Sequence, residues 1–181
     1  MKLLKRITYD DMKLLKRITY KETYGADEKQ YKSVRVVLLD DKGLVALIYV
    51  GKADFYTLPG GEIDECETPE QAIYRETLEE TGCDCEILCP LGIIEENSRT
   101  INWNGVSTSF IAKVKGEKGT PSLTQEELEE EAQVRWYALH EALKIITNQT
   151  INARDEREKC IGKIVQERDI TLLNEAIEFK L

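Results

Sequence analysis

The stretch "LPGGEIDECETPEQAIYRETLEETGC", residues 58–83, constrains this chain more than any other. Thr68 stands where a helix N-cap belongs, Pro69 at the first helical position, and Gln71 where a capping box wants Glu or Gln. Gly82 is placed as a left-handed residue that closes the helix. The pattern predicts a helix over 69–81 with both ends marked. At about 100° per residue, Glu76, Glu79 and Glu80 project into one arc, with Ala72 on the same face and Arg75 beside it. Ile73, Tyr74, Thr77, Leu78 and Thr81 cover the rest and are expected to supply the core contacts.

Three carboxylates at i, i+3 and i+4 repel each other by a few tenths of a kcal/mol per pair, roughly 0.2–0.5. Glu79 and Glu80 also sit at the C-terminal end, where the helix dipole disfavours anions. On a bare helix this would be a solvated acidic face. Here the helix follows "LPGG", a tight loop whose backbone can approach a ligand closely, and Glu67 stands just before the cap. Carboxylate oxygens in this pattern suit Mg²⁺ or Mn²⁺. Magnesium takes few carboxylates together with substrate phosphates, which points to phosphoryl or pyrophosphoryl chemistry.

The stretch from Gly61 reads G-x5-E-x7-R-E-T-x-E-E-x-G-C and closely resembles the Nudix box, G-x5-E-x7-R-E-U-x-E-E-x-G-U, where U is bulky and aliphatic. Gly61, Glu67, Arg75, Glu76, Glu79, Glu80 and Gly82 all match. The neighbouring "LPGG" and "TPEQA" resemble MutT-type members, and "VRWYALHEAL" extends the likeness over about residues 34–146. Thr77 departs, standing where an aliphatic residue is expected; its hydroxyl is expected to bond the carbonyl one turn back. Cys83 is a conservative change, and Cys66 replaces a glycine common in such loops, with strain expected if that site needs positive φ.

The resemblance implies an α+β chain with the Nudix fold, an α/β/α sandwich of helices around a mixed sheet. It implies a Mg²⁺- or Mn²⁺-dependent hydrolase that cleaves a nucleoside diphosphate linked to some group X, by in-line attack of water on a phosphorus. Glu76, Glu79 and Glu80 would bind the metals, with the carbonyl of Gly60 as a further ligand. Arg75 would orient Glu76, and Glu67 would pair with Arg75. The general base is either Glu76 or a glutamate of "EELEEEAQVRW", where Glu129, Glu130 and Glu131 are available; Glu130, six residues before Trp136, is favoured.

Substrate signals are sparse. "EENSRT" (residues 95–100) lacks both the proline of ADP-ribose-cleaving members and the tyrosine of dinucleoside-polyphosphate-cleaving ones. The expected substrate is a nucleoside triphosphate, plain or oxidised, giving monophosphate and pyrophosphate. ADP-ribose or another nucleotide conjugate is the alternative, as is a Nudix domain that senses a nucleotide without cleaving it. Tyr56, Trp103, Phe110 and Trp136 are candidates for a base platform, each equally a candidate core residue, and Asn148 is a further candidate base contact.

At 181 residues the chain suits one domain. Residues 1–9 and 12–20 are the same nine letters, "MKLLKRITY", which marks a duplicated start rather than a diverged structural repeat. Residues 1–20 are therefore set apart as a duplicated segment, and 21–181 read as a single Nudix domain with C-terminal helices. An ordered first copy is expected to pair with a sheet edge or a partner chain. A net charge of −9 argues against nucleic-acid or anionic-membrane partners. The absence of a secretory-type or bilayer-length apolar run gives the expectation of a cytoplasmic protein acting on a small nucleotide. Cys66, Cys83, Cys85, Cys89 and Cys160 are expected to be reduced thiols.

Strands are predicted over 33–40, 44–50, 86–94, 107–116 and 134–139, with a hairpin turn at 41–43. A turn-rich connection is predicted over 97–105, a polar loop with a helical turn after Thr124, a short helix over 140–146, and one or two helices over 152–179. The apolar stripe of that last segment (Ile161, Ile164, Val165, Leu172, Leu173, Ile177) either packs on the domain or builds a homodimer.

Overall fold

The structure, a computed structural model, describes residues 14–20, 30–98 and 101–179. Its strands are β1 (Leu14–Tyr20), β2 (Tyr31–Leu39), β3 (Leu44–Val50), β4 (Phe55–Thr57), β5 (Cys85–Ser98), β6 (Trp103–Val114) and β7 (Ala132–Ala138). Its helices are α1 (Pro69–Thr81), α2 (Gln125–Glu129), α3 (Leu139–Asn148) and α4 (Glu156–Glu178). The strands form one mixed sheet in the order β1-β5-β6-β2-β3-β4, with β7 also paired to β3. The β1–β5 and β2–β6 pairs are parallel and the others antiparallel.

Alternation along β2 sorts its side chains to the two faces. Val34, Val36 and Leu38 pack with Phe110, Ala112 and the α1 residues Ala72 and Ile73. Val37 and Leu39 pack on the other face with Ile146 of α3 and Ile164, Leu172 and Leu173 of α4. One helix thus covers one face and two cover the other, the expected α/β/α sandwich. Half of the α4 stripe is spent on its own chain: Ile164, Leu172 and Leu173 are buried in that core, while Ile161 is 38% exposed. No helix among the described residues is long and apolar enough to cross a membrane.

The hairpin β5–β6 runs longer than predicted. Cross-strand pairing continues to Ser98↔Trp103, so most of the expected turn-rich connection is strand. Pairing with a neighbour, which local composition does not report, carries the ladder past the apolar run. β4 was not predicted at all, being only three residues long. The second copy of the repeated nonapeptide supplies β1, a parallel edge strand on β5. The first copy lies outside the described residues.

Strands β2 and β3 part almost at once, pairing only at Leu39↔Val45. Into the gap comes the loop that leads to α1: Val34 N–H donates to the Gly61 carbonyl (2.9 Å) and Val36 N–H to the Pro59 carbonyl (3.0 Å). At the closed end, Asp40 organises the hairpin turn. One of its carboxylate oxygens accepts the Lys42 and Leu44 amides (2.9 and 2.8 Å), the other the Lys118 ammonium (2.7 Å). Burial alone would raise the Asp40 pKa, but these three donors outweigh it and hold it below the ordinary value.

Because the folded-state pKa is depressed, Asp40 stabilises the fold above the unfolded Asp value of about 3.9 and loses that contribution as pH falls through its lower folded value. Replacing Asp40 by Ala is expected to lower unfolding free energy by about 1–3 kcal/mol near neutral pH, since the Lys42 and Leu44 amides and the Lys118 ammonium lose a charged acceptor. Urea titrations should also show the wild-type advantage shrinking with acid below that range. A difference that does not change with pH would contradict the assignment.

Candidate active site

Helix α1 forms where its caps predict. The Thr68 hydroxyl accepts the Gln71 amide, and the Gln71 side chain accepts the Thr68 amide. Gly82 closes the helix with φ 68°, its amide bonded to the Leu78 carbonyl. Which face is buried differs from the expectation. Tyr74 and Leu78 are 48% and 49% exposed, whereas Glu76 and Glu80 are buried. Core contacts come from Ala72, Ile73 and Thr77. The acidic face is turned toward the loop filling the β2–β3 gap, so the apolar residues on the opposite side face water.

Arg75 draws the box carboxylates together. Its Nε and one terminal amine make a two-pronged pair with Glu67 (3.0 and 2.8 Å). The other amine donates to Glu76 (2.7 Å) and Glu79 (3.3 Å). The guanidinium also bonds the Glu62 carbonyl at 2.9 Å. The positive charge that relieves the acidic face is therefore this arginine. Hydrogen bonding from Arg75 outweighs partial burial and holds Glu67 below its ordinary pKa.

Glu80 takes a different partner. Its carboxylate accepts the Gly60 amide at 2.7 Å. Burial pushes its pKa up to about 8, against the lowering effect of that amide and of the Arg35 charge. Burial likewise raises Glu76, with Arg75 opposing. Gly61 lies against Glu76: a Cβ there would land inside the carboxylate. At Gly60, with φ 133°, a Cβ would strike the Val34 carbonyl. Gly60 is thus required by close approach, and a side chain at Gly61 would displace the Glu76 carboxylate. Cys66 does take positive φ, 68°, at an exposed position. The Thr77 hydroxyl is buried without the expected bond to the preceding turn. Instead Thr81 turns back to the Thr77 carbonyl.

Among the described residues no three acidic, histidine or cysteine side chains converge as a preformed metal ligand set. Glu76 and Glu79 are drawn to Arg75, and Glu80 to Gly60. The donor chemistry nonetheless fits a hard divalent cation. Glu76 and Glu80 are buried carboxyls whose anionic forms are disfavoured by burial, and an adjacent dication reverses that preference.

Two cavities open between β2 and α4, both lined by Arg35, Val165 and Arg168. The smaller, about 230 Å³, is lined by Ser33, Gly61, Glu96, Trp103 and Ile164 among others, and Trp103 stacks on Tyr31 at 4.7 Å. The larger, about 770 Å³, includes Lys52, Glu126, Glu130, Arg154 and Glu158. Of the predicted aromatic platform, only Trp103 lines either cavity. Phe110 is core, Trp136 lies under Lys118, and Tyr56 is tied to Arg135, Tyr137 and Gln149. Asn148 ends α3 and lines neither.

Of the three glutamates before β7, Glu130 lines the larger cavity. Glu129 is held by Gln125, and Glu131 is exposed beside Gly51. Arg35 and Arg168 line both cavities and were not singled out from sequence. A usable signal existed for Arg35, the lone charge inside "SVRVVLL". Arg168 sits in a helix rich in charges and carried none.

The family model for the NUDIX domain matches residues 29–157. The chain belongs to the Nudix family. It is 30% identical over 107 residues to the 8-oxo-dGDP phosphatase NUDT18 of Danio rerio, a match over 58% of this chain and 31% of that protein. It is 39% identical to the RNA pyrophosphohydrolase of Sulfurovum sp. (strain NBC37-1) over 32% of this chain and 41% of that one. The chain thus spans less than half the length of these curated relatives. Among solved structures, the MutT protein from Methanosarcina mazei Go1 superposes with a TM-score of 0.52 and 18% identity, over 80% of this chain and 99% of that one. At that identity the likeness speaks for the fold.

Arg75→Lys is expected to weaken Mn²⁺ binding by about 10–100-fold, because a lysine cannot span Glu67, Glu76 and Glu79 together. Calorimetric titration checks this, with circular dichroism showing α1 retained. Unchanged affinity would mean that the arginine does not organise the ligands.

Proposed function

We propose that the chain is a divalent-metal-dependent hydrolase of nucleoside diphosphate derivatives, with a nucleoside triphosphate, plain or oxidised, as its preferred substrate. The observation that carries this reading is the intact box built as one electrostatic unit: Arg75 bridging Glu67, Glu76 and Glu79, with Glu80 set on the Gly60 amide. A domain kept only for binding has no use for every charged member of that unit. The name of the Danio rerio relative, an 8-oxo-dGDP phosphatase, supports an oxidised nucleotide, and that of the "Putative 8-oxo-dGTP diphosphatase" of Bacillus subtilis (strain 168) supports the triphosphate.

In this reading Glu76, Glu79 and Glu80, with the Gly60 carbonyl, hold the metal. A bound divalent cation supplies charge neutralisation for the phosphate oxygens. Arg75 fixes Glu76 by its 2.7 Å bond, and Gly61 leaves room for that carboxylate. Glu76 is thereby committed to Arg75, which favours Glu130 as the base that takes a proton from the attacking water. Trp103, stacked on Tyr31 at the wall of the smaller cavity, is the proposed platform for the base of the nucleotide.

The test is product release in Mg²⁺ from a panel of common and 8-oxo nucleoside triphosphates, ADP-ribose, a dinucleoside polyphosphate and a nucleotide sugar. Turnover is expected on the triphosphates, giving monophosphate and pyrophosphate. Glu80→Gln should reduce it by at least about a hundredfold, the scale on which losing one electrostatic stabiliser acts. Preference for ADP-ribose would replace the substrate class. Tight binding without products from any member would leave a nucleotide sensor.

A further inference from the structure

Arg35 is a half-buried guanidinium with little among the described residues to satisfy it. It lies on β2 on the same face as Val37 and Leu39, toward α4. Among the described residues its guanidinium makes one hydrogen bond, to a neutral group, the Val34 carbonyl at 2.6 Å. Its Nε is buried with no partner. Among the described residues no carboxylate lies within ion-pair distance of it, although Glu80, Glu96 and Asp169 are near enough to be felt.

The neighbouring arginine is spent. Arg168 donates from Nε to Asp169 (2.7 Å), from a terminal amine to the Thr57 hydroxyl (3.1 Å), and stands 3.6 Å from Glu96. The second Asp169 oxygen is taken by the Thr57 hydroxyl and the Leu58 amide (2.8 and 2.9 Å), and Glu96 accepts from Ser107 (2.8 Å). Both acids nearest the pair of arginines therefore already serve Arg168 and the backbone. Burial, reinforced by the Arg168 charge, lowers the Arg35 pKa to about 10, which still leaves it charged near neutrality.

Two features say what would satisfy it. Arg35 lines both cavities, so the residue stands where they meet. The smaller cavity is also walled by Gly61, the residue against which the Glu76 carboxylate lies. An anion at Arg35 is thus beside the acidic helix. We propose that Arg35 is a phosphate-binding residue of this cleft, donating to a phosphoryl oxygen of the substrate's polyphosphate chain. The chain is presented from the sheet side while the box carboxylates act from the helix side. The inference rests on the hydrolase reading for the identity of the substrate, but the phosphate contact itself does not.

Arg35→Met and Arg35→Lys test it, with inorganic pyrophosphate as the probe in metal-free buffer and sulfate at matched ionic strength as the comparison. Calorimetry and thermal unfolding are the readouts. Pyrophosphate should bind and stabilise the wild type, sulfate far less. Arg35→Met should bind pyrophosphate at least tenfold more weakly, and Arg35→Lys should fall between, keeping the charge without the fork. Without ligand, Arg35→Met should unfold at or above the wild-type temperature, because an unpaired, half-buried charge is replaced by an apolar chain of similar reach.

Equal pyrophosphate affinity in wild type and Arg35→Met, no pyrophosphate binding by the wild type, or sulfate binding as tight as pyrophosphate would each overturn the proposal. So would an Arg35→Met protein that fails to fold or melts well below the wild type, which would make Arg35 structural. Hydrolysis by the wild type together with unchanged pyrophosphate affinity in Arg35→Met defeats this proposal alone. Arg35-dependent pyrophosphate binding with no hydrolysis of any panel member defeats the hydrolase reading and leaves this one standing.

Discussion

Strand β2 must satisfy its backbone on both edges, and β3 leaves it after a single residue pair. The amides of Val34 and Val36 are instead served by the carbonyls of Gly61 and Pro59. That substitution of a loop for a strand sets up the site. It brings the Gly60 amide to Glu80 and the bare Cα of Gly61 to Glu76. A side chain at Gly60 would meet the Val34 backbone, which cannot yield without breaking the β2 ladder to β6. The glycines are thus fixed by the docking of the loop on the sheet, and the positions of two carboxylates follow from the same hydrogen bonds.

Charge balance on α1 follows from that geometry. Glutamates three and four apart would repel on an isolated helix. Here each finds its own donor: Glu76 and Glu79 share Arg75, while Glu80 takes a backbone amide. Arg75 is itself positioned by Glu67 and by the Glu62 carbonyl, both in the segment just before the helix. Since Arg75 keeps 28% of its side chain exposed, solvent screens the unit, and its value lies in orientation more than in stability. The Thr68 cap, the loop and the arginine therefore form one local unit covering residues 60–80.

That local character explains what was legible in the sequence. The helix and its caps are written within one stretch and the structure has them, while the close approach of Gly60 and Gly61 is to Val34 and Glu76 of the chain itself. The α2 turn was also readable, because Thr124 and Glu127 form a second capping box. Tyr74 and Leu78 were misread as core, since a helical wheel ranks residues by polarity and does not know that a loop, with glutamates as its partners, will lie on the polar side. The lengths of β5 and β6 and the existence of β4 depend on partners distant in sequence. The network of Arg35, Glu96, Arg168 and Asp169 joins β2, β5 and α4 across more than a hundred residues, and no spacing rule connects those elements.

A chain with net charge −9 must still admit a polyanion if it is to act on nucleotides. The walls of the larger cavity show how the fold meets this demand. Arg154 is matched by Glu158 and Arg168 by Asp169, so neither offers its charge outward. Lys52 and Arg35 have no carboxylate at ion-pair distance among the described residues. They are the cations of this wall left for a ligand. On α1 the carboxyls of Glu76 and Glu80 are buried, which disfavours negative charge until a cation approaches. The cleft therefore separates its two electrostatic tasks by layer. The buried acids of α1 call for a cation and Arg35 calls for an anion, and under the proposed function a metal-complexed phosphate chain would supply both.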